Sequence, residues 1–181
     1  MQPEATLQDT PQRPLIKERR LAEDTWVRLE DEASADQPSS IVRLDIWLAA
    51  ERRDDLAPWL PSDTVLDDDT VAELRKAPLI AIDFPKFTDG RGYTLARVLR
   101  ERYGISGEIR AVGDVLIDQL SYMARCGFDA FSLREDQIVE DALNALTIFS
   151  RHYQVSIDNP EPMFLRRQRE ARERQRDTAV A

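Results

Sequence analysis

The chain holds one cysteine, Cys126, and one histidine, His152, in 181 residues. A single thiol excludes an internal disulfide, a CxxC redox pair and a cysteine-ligated iron–sulfur cluster built by this chain alone. A single imidazole excludes a multi-histidine metal site, and any histidine-dependent triad would rest on His152. No apolar run reaches the roughly 20 residues that a membrane-spanning helix needs. The opening stretch, MQPEATLQDTPQRP, has no positive segment followed by an apolar one, so it does not read as a secretory signal. A free thiol without an export signal makes the cytoplasm the expected compartment. Basic charge is also short: Lys and Arg total 25 against 34 Asp and Glu, for a net charge of −9. That balance argues against a general nucleic-acid binder and against an anionic membrane surface.

What is present reads as one α/β domain over residues 14–158, between an N-terminal tail at 1–13 and a charged C-terminal tail at 159–181. In PLIKERRLAEDTWVRL, residues 14–29, apolar runs at Leu15-Ile16 and Trp26-Val27 flank a charged middle and predict a small β-hairpin. EDEASADQPSS is an acidic loop. Ile41 to Leu44 predicts a strand, with Asp45 as cap of the helix that carries Trp47. Leu56 to Leu60 is apolar enough for a strand, which Pro58 and Pro61 restrict to a sheet edge or to an extended segment. Thr70 and Glu73 stand in capping-box spacing ahead of a short helix ending near Ala77.

The second half alternates more clearly. LIAIDF is a near-continuous apolar run, as in a strand buried on both faces. Leu95, Val98, Leu99 and Tyr103 recur at helical spacing, with Gly104 at the C-cap position. Ile109 to Val112 is the next strand. Val115, Leu116, Gln119, Leu120, Met123 and Ala124 then mark a helix that Gly127 closes. Asp129 to Leu133 is a third strand, and Ile138, Val139, Ala142, Leu146 and Phe149 form a helical face. This alternation predicts βαβ units on a mostly parallel sheet of about five strands, open and Rossmann-like or partial-barrel-like. Eight units would be needed to close a barrel. After Pro162 the chain is arginine-rich; six arginines against four acids give residues 161–181 net +2, and the segment would be helical if docked.

In such a sheet the carboxyl ends of the strands carry function. Three loops qualify: Asp83 to Gly92, Gly113-Asp114, and Arg134-Glu135-Asp136. In the first, Gly90 and Gly92 would permit positive φ and close backbone approach to a ligand. The helix that follows would add about 0.3–1 kcal/mol for an anion, and Lys86 and Arg91 would add full charges. Asp89 belongs to the same turn. The set Lys86, Asp89, Gly90, Arg91, Gly92, Gly113 and Arg134 is therefore a candidate anion or ligand site, with Asp114 and Asp83 as candidate proton acceptors. The plainer alternative is a tight corner in which Arg91 pairs with Asp83 or Asp114 and Asp114 caps the next helix. No nucleotide motif is complete: Walker A is absent, and Gly90-Arg91-Gly92 is followed by Leu95 where G-x-G-x-x-G needs its third glycine. No cofactor is evident and no metal ligand set is visible. Cys126 and His152 read as structural, and Trp26, Trp47 and Trp59 as core or interface anchors.

The signatures FPKFTDGRG, GDVLIDQL and CGFDAF are long and particular. On these, and on LIKERRLAEDTWVRL and IVRLDIWLAAE further upstream, the chain resembles the proteobacterial domain of unknown function 934 over roughly residues 15–155. That family is commonly labelled an oxidoreductase involved in sulfite reduction. The resemblance implies an accessory role in assimilatory sulfate or sulfite reduction, with sulfite reductase or phosphoadenylyl-sulfate reductase as partner. It carries no established catalytic residues. A chain with one cysteine cannot itself hold the iron–sulfur cluster of a sulfite reductase, so the redox cofactors are expected on the partner. The acidic chain would suit a basic docking patch. The alternative reading is a protein or enzyme that binds a sulfur oxyanion, or a sulfated or phosphorylated nucleotide, at the strand ends.

Overall fold

A computed structural model describes residues 13–29, 38–51, 53–148 and 153–180. Eight strands form one sheet in the order β2-β1-β8-β7-β6-β5-β4-β3. These are β1 (Leu15–Lys17), β2 (Arg20–Ala22), β3 (Val27–Arg28), β4 (Ser40–Arg43), β5 (Leu56–Leu60), β6 (Leu79–Phe84), β7 (Glu108–Gly113) and β8 (Ala130–Ser132). From β3 to β8 every neighbouring pair is parallel, while β1 pairs antiparallel with both β2 and β8. Five helices follow β4 to β8 in turn: α1 (Leu44–Ala49), α2 (Asp68–Leu74), α3 (Arg91–Glu101), α4 (Leu120–Cys126) and α5 (Val139–Ala145). The arginine-rich end forms α6 (Met163–Val180). The sheet thus has eight strands rather than about five. The predicted strand–helix alternation covers only its middle, and the N-terminal strands extend it at both edges.

Chain reach shows that the sheet is curled. In a flat eight-stranded sheet, seven steps of about 4.8 Å would put β2 and β3 about 34 Å apart. The link from Ala22 to Val27 reaches at most about 18 Å. The two edges must therefore approach one another, and the sheet is a half-barrel. Residues 23–26 run as a strap across its open side. Strand order also rises without reversal from β3 to β8, so there is no Rossmann-type switch point.

One face of the sheet is the main core. Leu60, Ile82, Phe84, Ala111 and Phe131 meet Leu74, Leu95, Leu99, Leu120, Met123 and Ala142 of the helices. Each such large side chain contributes about 1.5–3 kcal/mol on burial. The concave face is smaller and mixed. Ile41, Ala57, Leu79, Ala81 and Val112 pack with Trp26 and Trp59. Beside them lies a charge cluster centred on the buried Arg110. Arg110, 2% exposed, bonds Asp24 of the strap at 2.8 Å and Glu108 at 2.7 Å, and Lys17 bonds Glu108 at 2.7 Å. The strap is thus fastened by both an aromatic ring and an ion pair.

Several local expectations need correction. The hairpin pairs Leu15–Lys17 with Arg20–Ala22, not with Trp26-Val27, and its turn residues Glu18 and Arg19 take φ of 51° and 61°. Val27 instead begins the opposite edge. Pro58 lies inside the sheet, since β5 has β4 on one side and β6 on the other. The missing N–H is tolerated because the β5–β6 ladder is short, covering only Trp59↔Ala81 and Leu60↔Ile82 beyond the proline. Asp45 sits within the first turn of α1 and pairs with Arg43 rather than capping. The cap of α2 is Asp67, whose side chain accepts from the Thr70 N–H at 2.7 Å. Gly104 does close α3, at φ 63°. The residues 1–12 of the expected N-terminal tail, residues 30–37 of the acidic loop, Phe149 and His152 lie outside the described residues. Among the described residues no helix is long and apolar enough to cross a membrane.

Candidate functional site

Because β6, β7 and β8 are neighbours, their three carboxyl-end loops do share one rim. The first contact is backbone to backbone. The Asp114 N–H donates to the Phe84 carbonyl at 2.7 Å, the last rung of the β6–β7 ladder beyond the paired Phe84 and Gly113. Gly113 makes this close approach possible. It takes φ 94°, and a Cβ there would overlap the Phe84 carbonyl oxygen and stand 2.6 Å from Asp83 Oδ1. Only glycine fits both the conformation and the space.

Asp114 is the hub of the rim. Its Oδ2 accepts from the Phe87 N–H at 2.8 Å in the first loop, and its Oδ1 accepts from Arg134 Nη1 at 2.7 Å in the third. It does not cap the following helix, which opens with a 3-10 turn at Ile117–Gln119 and has no side-chain cap. The Phe87 N–H, followed by the Arg134 guanidinium, holds the Asp114 carboxyl below its ordinary range. A carboxylate with both oxygens engaged and its basicity lowered is a weak proton acceptor. Arg134 is engaged on its other side by Asp136, at 2.6 and 2.7 Å. Those two carboxylates raise the Arg134 pKa.

Asp83 lies on the concave side and pairs with Arg28 of β3 at 2.8 Å. The Arg28 guanidinium also stacks on Trp59, 4.7 Å from the ring centroid. Arg13 donates to the Gly113 carbonyl from beyond β1. Neither arginine had a local sequence signal. Both reach the rim only because the curled sheet brings the N-terminal strands to it.

The turn before α3 is built differently from the expectation. Gly90 has φ −83°, and Gly92 is not among the glycines with positive φ. Gly92 serves helix–strand packing instead: a Cβ there would come within 2.7 Å of the Phe84 ring. Arg91 pairs with neither Asp83 nor Asp114. It grips Asp89 through Nε at 3.0 Å and Nη2 at 2.7 Å, while Ser62 Oγ donates to the same carboxylate at 2.7 Å. Asp89 Oδ1 also accepts from the Arg91 backbone N–H at 3.1 Å. The chain's own carboxylate therefore occupies the helix start where an external anion was expected. Arg91 first, then Ser62, holds it well below the usual carboxylate range. The Lys86 side chain is exposed and has no hydrogen-bond or ion-pair partner among the described residues.

One rim residue escaped the sequence reading. Phe87 is 52% exposed, yet both of its backbone polar groups are pinned, the N–H by Asp114 and the carbonyl by Gln119 Nε2 at 2.7 Å. A large apolar side chain thus projects from a rigid loop. Cys126 is buried in the main core, where desolvation pushes its thiol pKa up. Trp47 is a core anchor, 1% exposed, with its Nε1 bonded to the Leu56 carbonyl at 3.1 Å. Among the described residues no three His, Cys, Asp or Glu side chains gather in a metal-holding group.

The fold and rim define an α/β half-barrel whose strand ends are tied together by an Asp114-centred network. A family model described as "Bacterial protein of unknown function (DUF934)" matches residues 58–164, from within β5 to the start of α6. The chain belongs to that family. The hairpin, the strap, β3 and β4 lie outside the matched span. No curated protein and no solved structure matches the chain.

Proposed function

We propose that this protein is a cytoplasmic accessory factor of assimilatory sulfate or sulfite reduction that docks, through its strand-end rim, onto a cofactor-bearing reductase. The observation that carries this reading is the display of Phe87. An exposed aromatic on an immobilised backbone loses little entropy on binding, and such residues dominate the energetics of protein interfaces. Lys86 beside it supplies an unpaired charge. The other ionic groups of the rim, Asp114 with Arg134 and Asp89 with Arg91, are engaged with one another. The role in sulfur assimilation rests on the resemblance set out above and not on the matched family model, which is described as of unknown function. The test is a binding titration of the full chain against purified sulfite reductase and phosphoadenylyl-sulfate reductase at low and physiological salt. Saturable binding to one of them, lost in Phe87→Asp, supports the reading. Absence of binding to both at low salt, or binding indifferent to Phe87→Asp, overturns it.

A second reading places a sulfur oxyanion, or a sulfated or phosphorylated nucleotide, on the same rim, with Lys86, Arg91 and Arg134 as its cations. The unpaired Lys86 favours it, and Arg91 would have to exchange Asp89 for the ligand. A thermal-shift panel of sulfate, sulfite, phosphate, adenylyl sulfate and phosphoadenylyl sulfate, run on wild type and Arg91→Ala, separates the two. A saturable shift lost in the variant selects the anion site, and no shift from any ligand removes it.

A further inference from the structure

At the opposite end of the strands, where β8 begins and the β1–β2 turn closes, a cavity of about 390 Å³ opens to solvent. Its floor is apolar. Phe128, Phe131 and Leu146 are buried, and Ile157 lines it from the segment after α5. The volume lies within the roughly 300–1,000 Å³ typical of small-molecule sites.

The wall behind the floor is rigid. Arg100 donates to the carbonyls of Gly127 at 2.9 Å, Ile105 at 2.6 Å and Gly107 at 2.8 Å, and to Asp129 Oδ2 at 2.8 Å. Asp129 Oδ1 accepts from the Ile109 N–H at 2.8 Å. This pair therefore closes the wall and offers no free charge to a ligand. The edge is different. Glu18, Arg19 and Asp158 line the cavity, are exposed, and have no side-chain hydrogen-bond or ion-pair partner among the described residues. Glu18 and Arg19 hold φ of 51° and 61°. That conformation costs an L-residue about 1–2 kcal/mol, and Asn-Gly would make the same turn at lower cost. Strain held by non-glycine residues points to a use for their side chains.

One cation and two carboxylates around an apolar floor narrow the ligand class. A neutral hydrocarbon would leave all three charges unused. A simple anion would meet Arg19 but also face Glu18 and Asp158. A zwitterion with an apolar side chain uses every group. We propose that this cavity is a binding site for an apolar α-amino acid, with the carboxylate on Arg19, the ammonium on Glu18 and Asp158, and the side chain on Phe128, Phe131 and Leu146.

The test is an amide-resolved NMR titration of the full chain with L-leucine, L-methionine and L-phenylalanine, and with their N-acetyl and methyl-ester forms, which each remove one charge. The expected result is saturable shifts at Gly127, Phe128 and Asp129 for at least one free amino acid, with binding about tenfold weaker for each blocked form. Arg19→Gln weakens the free acid and leaves the ester unchanged. Ser106→Trp, placed at the exposed cavity edge, abolishes binding. Both sites are on the surface, and an unchanged melting temperature confirms that each variant is folded. The proposal is overturned if no free amino acid saturates, if the blocked forms bind as well as the free ones, or if binding survives both substitutions.

Discussion

Replacing Gly113 by alanine tests the construction of the rim most directly. Two costs combine. At φ 94° an L-residue is strained by about 1–2 kcal/mol. The new Cβ would also overlap the Phe84 carbonyl and crowd Asp83 Oδ1 at 2.6 Å. Neither neighbour can yield freely. The Phe84 carbonyl accepts the Asp114 N–H, and Asp83 is held by Arg28. Moving the carbonyl weakens a hydrogen bond worth about 1 kcal/mol and disturbs the Phe84↔Gly113 end of the β6–β7 ladder. The sum is a loss of about 3 kcal/mol. For a domain of this size that lowers the melting temperature by about 6–12 °C. Urea denaturation of wild type, Gly113→Ala and Gly90→Ala reads the effect. Gly90 has ordinary φ and its nearest neighbour for a Cβ is Tyr93 at 3.8 Å, so the control should change stability by less than about 1 kcal/mol. If Gly113→Ala is as stable as Gly90→Ala, the close approach of β7 to the end of β6 does not depend on glycine, and this construction of the rim is refuted.

Two other perturbations bear on the charge networks. Arg110→Ala removes the buried cation shared by Asp24 and Glu108 on the concave face and leaves Glu108 only its pair with Lys17, so it should cost about 3 kcal/mol, the low end for breaking a buried ion pair; chemical denaturation reads this, and a cost under about 1 kcal/mol would show that the strap is not fastened there. For Asp114 the folded pKa lies below the ordinary value of about 3.9, so its stabilising contribution is complete above that value and is lost as pH falls through the folded pKa. Asp114→Asn should therefore be less stable than wild type at pH 7 and converge with it on acidification, and parallel pH profiles for the two proteins would refute the assignment.

The candidate site was only partly legible. Loop positions follow from the βαβ alternation, so the gathering of Asp83 to Gly92, Gly113-Asp114 and Arg134 on one rim could be read in advance. The pairings could not. Asp114 binds Phe87 and Arg134, Asp83 binds Arg28, and Arg91 binds Asp89, because partner choice depends on side-chain directions and on the register between strands. Phe87 carried no periodic signal, and its significance lies in being both exposed and immobilised. The cavity beneath the β1–β2 turn was equally silent in the sequence, since its walls come from α3, α4, β8, Leu146 just after α5 and the segment near Ile157.

The parts governed by local physics follow from residue order alone. Apolar runs set β6 and β7, helical spacing set α3 and the presence of α5 though not its length, and Gly104 and Gly127 set the ends of α3 and α4. Long, particular motifs were enough for family membership. Tertiary structure decided the number of strands, the half-barrel and the contents of its concave face. Residues 15–28 supply two short strands to one edge and one to the other, with a strap between them. Strands of two or three residues have too little periodicity to announce themselves, and their placement is fixed by what they touch: Ile16 against the main core, Asp24 on Arg110, and Trp26 in the concave cluster.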